Sequence, residues 1–207
     1  MFRTAIIAAL LVTPTAVVAQ RVPVAATAGR YASEITHSSV TFRIRHMGLA
    51  NYTARFTKME ALLDFDPARP ERSKLTATVD TGSVETDYQN RDKDWNAELG
   101  RDRKFFNAGV FPQARFVSTA VRRTGPRTAA ITGNLTFLGV TRPLTLNATY
   151  NGSIAAHPFA KVPALGFSAR GTMKRSQWGL IYGMGKDLVD EVELIIEAEF
   201  LRQGDVR

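Results

Sequence analysis

Apolar and polar residues alternate along most of this chain. In Val40-Thr41-Phe42-Arg43-Ile44-Arg45-His46 the even positions are apolar and the odd ones polar, with His46 closing the series. Leu75–Asp80, Ile131–Phe137, Leu144–Tyr150, Phe167–Met173 and Val192–Phe200 repeat the pattern, and Phe56–Phe65 and Phe116–Val121 follow it less regularly. A period of two marks strands with one face on a core and the other in water, as in antiparallel sheets. Turn residues separate the runs: Asp66-Pro67, Gly125-Pro126, Gly139 to Pro143 and Asn151-Gly152. Without a βαβ rhythm, the chain reads as all-β, either barrel or sandwich. One segment breaks the pattern. Asn90–Asn107 is charged and places Trp95, Leu99, Phe105 and Phe106 at roughly helical spacing. A shorter non-strand stretch runs from Arg175 to Gly185.

The inward rows mix large residues (Phe42, Ile44, Phe137, Leu146, Phe167, Leu194) with small ones (Ala77, Gly133, Ala148, Ala169, Gly171). Small inward residues leave room in a closed barrel, and an eight-stranded barrel is just wide enough for side chains or one slender ligand. Alternation alone does not separate an open tunnel from a core in which the large residues fill the gaps.

The first nineteen residues have the form of a secretory signal: Met1-Phe2-Arg3 is a positive start, Ala5–Val12 an uncharged apolar run, and Val17-Val18-Ala19 a small-residue cleavage site. Pro14 interrupts the run, which is shorter than the ~20 residues of a spanning helix. Cleavage is expected after Ala19, residues 20–29 are expected to be a linker, and residues 30–202 the domain. An exported, periplasmic or secreted protein is the expected outcome. The composition fits a folded chain of 207 residues, 44% hydrophobic. The absence of cysteine excludes disulfides, thiolate metal sites and a cysteine nucleophile.

Catalytic motifs do not emerge. His37, His46 and His157 are far apart without ligand spacing, and no GxSxG elbow, phosphate loop or complete dinucleotide fingerprint is present. His46, in an inward row, reads as a core histidine. The net charge of +8 is concentrated between Arg91 and Arg127, which hold nine basic and four acidic residues. A solvated face, an anion-attracting rim or a nucleic-acid surface would each explain it; export and the lack of interleaved aromatics argue against the last.

A series of motifs carries a resemblance. His37-Ser38-Ser39-Val40-Thr41-Phe42 with His46-Met47-Gly48, Leu63 to Pro67, Ser83-Val84-Glu85-Thr86 with Arg91-Asp92, Phe105-Phe106 with Phe111-Pro112, Gly133 to Thr136 with Gly139 to Pro143, Arg175 to Gly179 and Asp190-Glu191-Val192 follow in order. Over about Tyr31–Phe200 the sequence resembles the YceI-like polyisoprenoid-binding family. It departs at Lys93-Asp94-Trp95, where the family usually places a His-Leu pair, and in a longer segment from Asn96 to Lys104.

The resemblance implies an eight-stranded, antiparallel, lipocalin-like barrel with a short helical segment near 90–107. It implies an extracytoplasmic lipid carrier or store whose apolar tunnel holds one polyisoprenoid, a quinone or a prenyl phosphate, with no catalytic residues and no other cofactor. An exported enzyme on the same barrel is the alternative, and transient contact with a membrane surface or membrane protein is expected of a carrier. Phe42, Ile44, Phe56, Val79, Leu135, Phe137, Leu146, Phe167, Trp178 and Leu194 are the candidate tunnel wall. His46, Trp95 and Phe105 complete the candidate ligand contacts. Arg91–Lys104 is expected at the tunnel mouth, with Trp95 stacking on a ring. A quinone is the favoured occupant, because Asp92, Asp94, Glu98 and Asp102 offset that segment's charge.

Overall fold

The computed structural model describes residues 26–90 and 92–204, and eleven strands and one helix organise them. The strands are β1 (Gly29–Ser33), β2 (Ser39–His46), β3 (Ala50–Phe56), β4 (Met59–Phe65), β5 (Lys74–Asp80), β6 (Val84–Thr86), β7 (Gln113–Arg123), β8 (Thr128–Phe137), β9 (Val140–Ile154), β10 (Ala164–Lys174) and β11 (Leu188–Arg202). Helix α1 is Trp95–Arg101. All strand pairs are antiparallel, and β1 closes the ring by pairing with both β4 and β11.

The closed barrel has eight strands because three of them are bent into halves. The fifteen residues of β11 pair with β2 along Leu188–Glu197 and with β1 along Phe200–Arg202. In the same way β3 and β4 are two halves of one strand, and β5 and β6 of another. Each break is held by hydrogen bonds that replace the ladder. The Glu34 carboxylate accepts from the amides of Thr36 and His37, at 3.0 and 2.8 Å. Thr57 and Lys58 donate their amides to the carbonyl and hydroxyl of Ser83, at 3.0 and 3.1 Å. Asp80 accepts from the Gly82 amide at 2.9 Å.

These polar breaks account for where the alternation misled. The single strand expected over Phe56–Phe65 is two strands parted at Thr57-Lys58, and β1, β3 and β6 lie outside the expected runs. The helix is also shorter than its spacing suggests. Asp94 starts it by accepting from the Ala97 amide at 2.9 Å, and Asp102 ends it in an extended conformation, its carboxylate capping the Lys104 amide. Because β6 does not pair with β7, α1 and the segment after it cover that end of the barrel. Asn96 accepts from the Thr86 amide and hydroxyl, pinning α1 to β6. Across β8 and β9, Leu138 and Gly139 both take positive φ, 49° and 76°, the two-residue hairpin turn that suits strand twist.

The signal segment and the linker as far as residue 25 lie outside the described residues. Of the remaining linker, Ala26 packs on the core and Gly29 already belongs to β1.

Candidate functional site

The barrel interior divides into a packed end and an open end. Around α1 and the β10–β11 connection, Phe105, Phe106, Leu99, Ile44, Met173, Trp178 and Val192 form a buried cluster. Phe106 is its centre, with ring centroids 5.8 Å from Phe42, 5.2 Å from Phe56 and 6.1 Å from Phe137. Trp178 is 2% exposed and donates its indole N–H to the Leu135 carbonyl at 3.3 Å. Together these groups floor the barrel.

Above the floor runs a cavity of about 540 Å³, within the range of small-molecule sites. Its wall is the inward rows of the strands: Met59, Ala61, Leu63 and Phe65 of β4, Leu75, Ala77 and Val79 of β5, Leu144, Leu146 and Ala148 of β9, Leu194, Ile196 and Ala198 of β11. No aspartate, glutamate, histidine or lysine lies on the wall among the described residues. At the far end the lining consists of Pro67, Pro70 and Ser73 between β4 and β5, and Arg123, Gly125, Pro126, Arg127 and Thr128 at the β7–β8 turn. That end is the mouth.

Alanines make the room. Ala148 pairs across the ladder with both Ala129 and Ala169, and Ala61 pairs with Ala77 in another part of the sheet. All five line the cavity. The glycines of the inward rows act otherwise, which corrects their reading as open space. A Cβ at Gly133 would sit 2.5 Å from the Val117 carbonyl oxygen and 2.4 Å from Phe116 Cζ. One at Gly171 would meet Leu146 Cδ2 at 2.7 Å. Glycine here accommodates a large neighbour, and alanine leaves a gap.

Of the thirteen candidate contacts, Phe56, Val79, Leu135, Phe137, Leu146, Phe167 and Leu194 are on the cavity wall. The other six are not. Phe42 packs behind Phe56, and Ile44 and Trp178 are buried in the packed end. His46 is exposed at the end of β2, so its reading as a core histidine is corrected: the row's last residue has run past the barrel rim. Trp95 donates to the Tyr52 hydroxyl at 3.0 Å, and Phe105 stacks edge-on between Trp95 and Tyr182. Both lie at the floor end, because α1 fills the gap between β6 and β7.

The expected mouth is therefore at the wrong end of the barrel. Arg91 lies outside the described residues. Lys93 and Lys104 pair with Glu98 and Asp102, Lys104 facing Asp102 at 3.3 Å, so this segment neutralises itself. Arg103, Lys104, Trp178 and Tyr182 border a smaller polar depression of about 450 Å³ on this outer face. The basic residues at the real mouth are Arg123 and Arg127, which the sequence reading counted in the basic excess but did not place.

Two buried polar groups deserve their physical causes. Tyr150 lines the cavity, but its hydroxyl is covered within the wall and has no hydrogen-bond partner among the described residues. Tyr31, fully buried, donates to the Thr27 carbonyl at 2.7 Å, and burial pushes its hydroxyl pKa up. Outside the barrel, Glu34, His37 and Glu199 bring ligand-type atoms within 4.8 Å of one another. His37 Nδ1 is already 2.8 Å from the Glu34 carboxylate. Partial burial opposes the charge on Glu34, but hydrogen bonds from Thr36 and His37 outweigh it and hold its pKa at about 2.

The YceI-like domain profile matches residues 31–200. The chain belongs to the YceI-like family. Protein YceI of Salmonella arizonae is 37% identical over 167 residues, which is 81% of this chain and 83% of that protein. Among YceI-like folds of known structure, BcnA of Burkholderia cenocepacia superposes with a TM-score of 0.68 at 25% identity, covering 81% of this chain and 98% of its own. A polyisoprenoid-binding domain from Saccharophagus degradans gives 0.59 at 13% identity, over 86% of this chain and all of that one, a likeness of fold alone. The YceI-like barrel accounts for the family motifs physically. Phe105-Phe106 makes the floor, and Arg175-Ser176-Gln177-Trp178 closes it. Arg175, 2% exposed, donates to the carbonyls of Val189, Leu180 and Tyr182 at 2.8–2.9 Å, and Ser176 donates to Asp190.

Proposed function

We propose that this protein is an exported, soluble lipid-binding protein that holds one long-chain polyisoprenoid in the barrel, as carrier or store. One observation carries the reading: a cavity of about 540 Å³, walled by aliphatic and aromatic side chains and reached from one end. Each methylene moved from water to such a wall contributes about 0.8 kcal/mol, so a five-carbon isoprene unit gains roughly 3 kcal/mol before ordering costs. A branched, unsaturated chain also suits a wall that alternates Phe, Leu and Ile with Ala. The description of the Saccharophagus domain as polyisoprenoid-binding agrees with this occupant, and the signal-like segment Met1–Ala19 supports export.

An enzyme on the same barrel would need acid, base or nucleophile converging on the cavity. The described wall carries no carboxylate, imidazole or amine, and its one phenol, Tyr150, has no acid–base partner beside it among the lining residues, which favours binding over turnover. The test is to extract and weigh by mass spectrometry the lipid that accompanies protein purified without detergent. A stoichiometric isoprenoid is the expected result. Recovery of none, with no uptake of added prenyl alcohol, quinone or prenyl phosphate, overturns the proposal.

A further inference from the structure

The two ends of the cavity differ in polarity as well as in access. At the floor the wall is aromatic and aliphatic. At the mouth, Arg123 and Arg127 flank the β7–β8 turn, and both line the cavity. Arg123 donates Nε to the Gly125 carbonyl at 3.0 Å and Nη2 to the Pro126 carbonyl at 3.3 Å. Arg127 donates Nε to the Tyr150 carbonyl at 2.8 Å and Nη2 to the Asn151 carbonyl. These bonds fix the direction of each guanidinium and leave its charge uncompensated. Neither arginine is ion-paired with a described carboxylate. Of the two carboxylates of the neighbouring β4–β5 connection, Asp66 is already held by Arg69 at 3.2 Å, and Glu71 makes no ion pair with either arginine. A guanidinium has five N–H donors, so about three on each remain for a ligand.

The second observation is independent of charge. Tyr150 sits directly beneath Arg127, whose Cζ is 5.7 Å from the phenol ring centroid. Its ring is wedged between Phe65 and Phe167, at 6.3 and 5.4 Å, which holds it in the wall. Its hydroxyl is the one buried side-chain polar atom among the described residues without a partner in the protein. Buried polar groups are nearly always paired, and an unpartnered hydroxyl on a cavity-lining residue is where a ligand's polar atom would find a donor once a side-chain shift uncovers it.

Resting on the polyisoprenoid reading, we propose that Arg123, Arg127 and Tyr150 are the specificity-determining residues of this barrel. They select a phosphate-bearing head group over a neutral one and orient the ligand head-outward at the β7–β8 turn, its tail against Phe56 and Phe137, which Phe106 backs. Phosphate matches the planar guanidinium fork in bidentate fashion, and the Tyr150 hydroxyl donates to an oxygen one bond deeper, at the ester or proximal phosphate. The preference for a quinone rested on the self-neutralised segment after Arg91. That segment is at the other end.

The experiment is a calorimetric titration of the full-length mature protein, freed of lipid, with geranylgeranyl monophosphate, geranylgeraniol and inorganic phosphate. Wild type should bind the prenyl phosphate on the order of tenfold tighter than the alcohol at low salt, with the gap shrinking as salt rises. In the double variant Arg123→Gln/Arg127→Gln that advantage should fall to about threefold or less while alcohol binding stays within about twofold. Both positions are exposed, so the fold is retained. Tyr150→Phe, which removes only the hydroxyl, should weaken the prenyl phosphate severalfold in a protein that melts no earlier than wild type. Equal binding of alcohol and phosphate by wild type would overturn the assignment. So would an advantage that survives in the double variant, or inorganic phosphate binding as tightly as its prenyl ester. Failure of both prenyl compounds would overturn the lipid-binding reading itself, and this inference with it.

Discussion

Two substitutions of apparently similar kind should have opposite consequences, because one faces space and the other a wall. Ala169 lies in the alanine row with Ala148 and lines the cavity. Replacing it with Leu adds three carbons to an empty interior, worth about 2 kcal/mol gross at 0.8 per methylene, less about 0.5–1 kcal/mol of rotamer entropy. A net gain near 1 kcal/mol raises the melting temperature by roughly 2–4 °C in a domain of this size. The added side chain blocks the tunnel, so uptake of a prenyl alcohol should fall at least tenfold. Gly133→Ala is the contrast. Its new Cβ would stand 2.5 Å from the Val117 carbonyl, where ordinary carbon contacts are about 3.5–4 Å, and the strand ladder holds that oxygen in place. Overpacking of this kind costs about 1–3 kcal/mol, against about 0.4–1 kcal/mol recovered from the stiffer unfolded chain. Gly133→Ala should therefore melt several degrees early yet retain its ligand. Thermal melts and lipid uptake on the same preparations decide it. If Ala169→Leu is destabilised as much as Gly133→Ala and still binds, the interior is packed and there is no tunnel.

Phe106→Ala removes the centre of the floor, where Phe42, Phe56 and Phe137 converge; it should cost about 3–5 kcal/mol and shift the preferred ligand to longer chains, read by competition between prenyl alcohols of increasing length. Arg175→Met leaves the carbonyls of Leu180, Tyr182 and Val189 without their donor; a loss of about 3 kcal/mol or more and fast hydrogen exchange across 179–189 are expected, and native protection there would refute the clamp. Glu34, held at about 2 in the folded state against an ordinary 4.5, binds fewer protons folded than unfolded in that interval. Its contribution is present above about pH 4.5 and is lost as the pH falls towards 2. Glu34→Gln should flatten the stability profile in that window and lower stability at neutrality, while matching wild type near pH 2, as followed by urea titration at several pH values.

Much of the barrel was legible because alternation reports which way a side chain points. Phe137, Leu146, Phe167 and Leu194 all came from that period, and all face the cavity. Alternation does not report where along a strand the interior is hollow. Phe42 and Ile44 have the same pattern but lie at the level of the aromatic floor. His46 continues the row beyond the rim. Strand breaks at Glu34, Lys58 and Gly82 come from side chains bonding to nearby backbone, which hydropathy does not register. The mouth was assigned to the segment rich in charge, yet its acids and bases lie close enough to cancel. Arg123 and Arg127 form a smaller cluster whose carboxylates are elsewhere, and only the ring order of the strands places them over the cavity. A signal was available: a turn carrying two arginines and no acid, joining two strands whose alternating rows face the interior.

The floor of aromatic rings makes this barrel a sheath with one opening. A chain held as proposed, tail inward, would leave the same way, head first, and none would pass through. A membrane or protein that loads the lipid and one that unloads it would have to face the same rim in turn, never together. Transfer would then proceed as an exchange of visits, and each extra isoprene unit drawn inside would lengthen the stay.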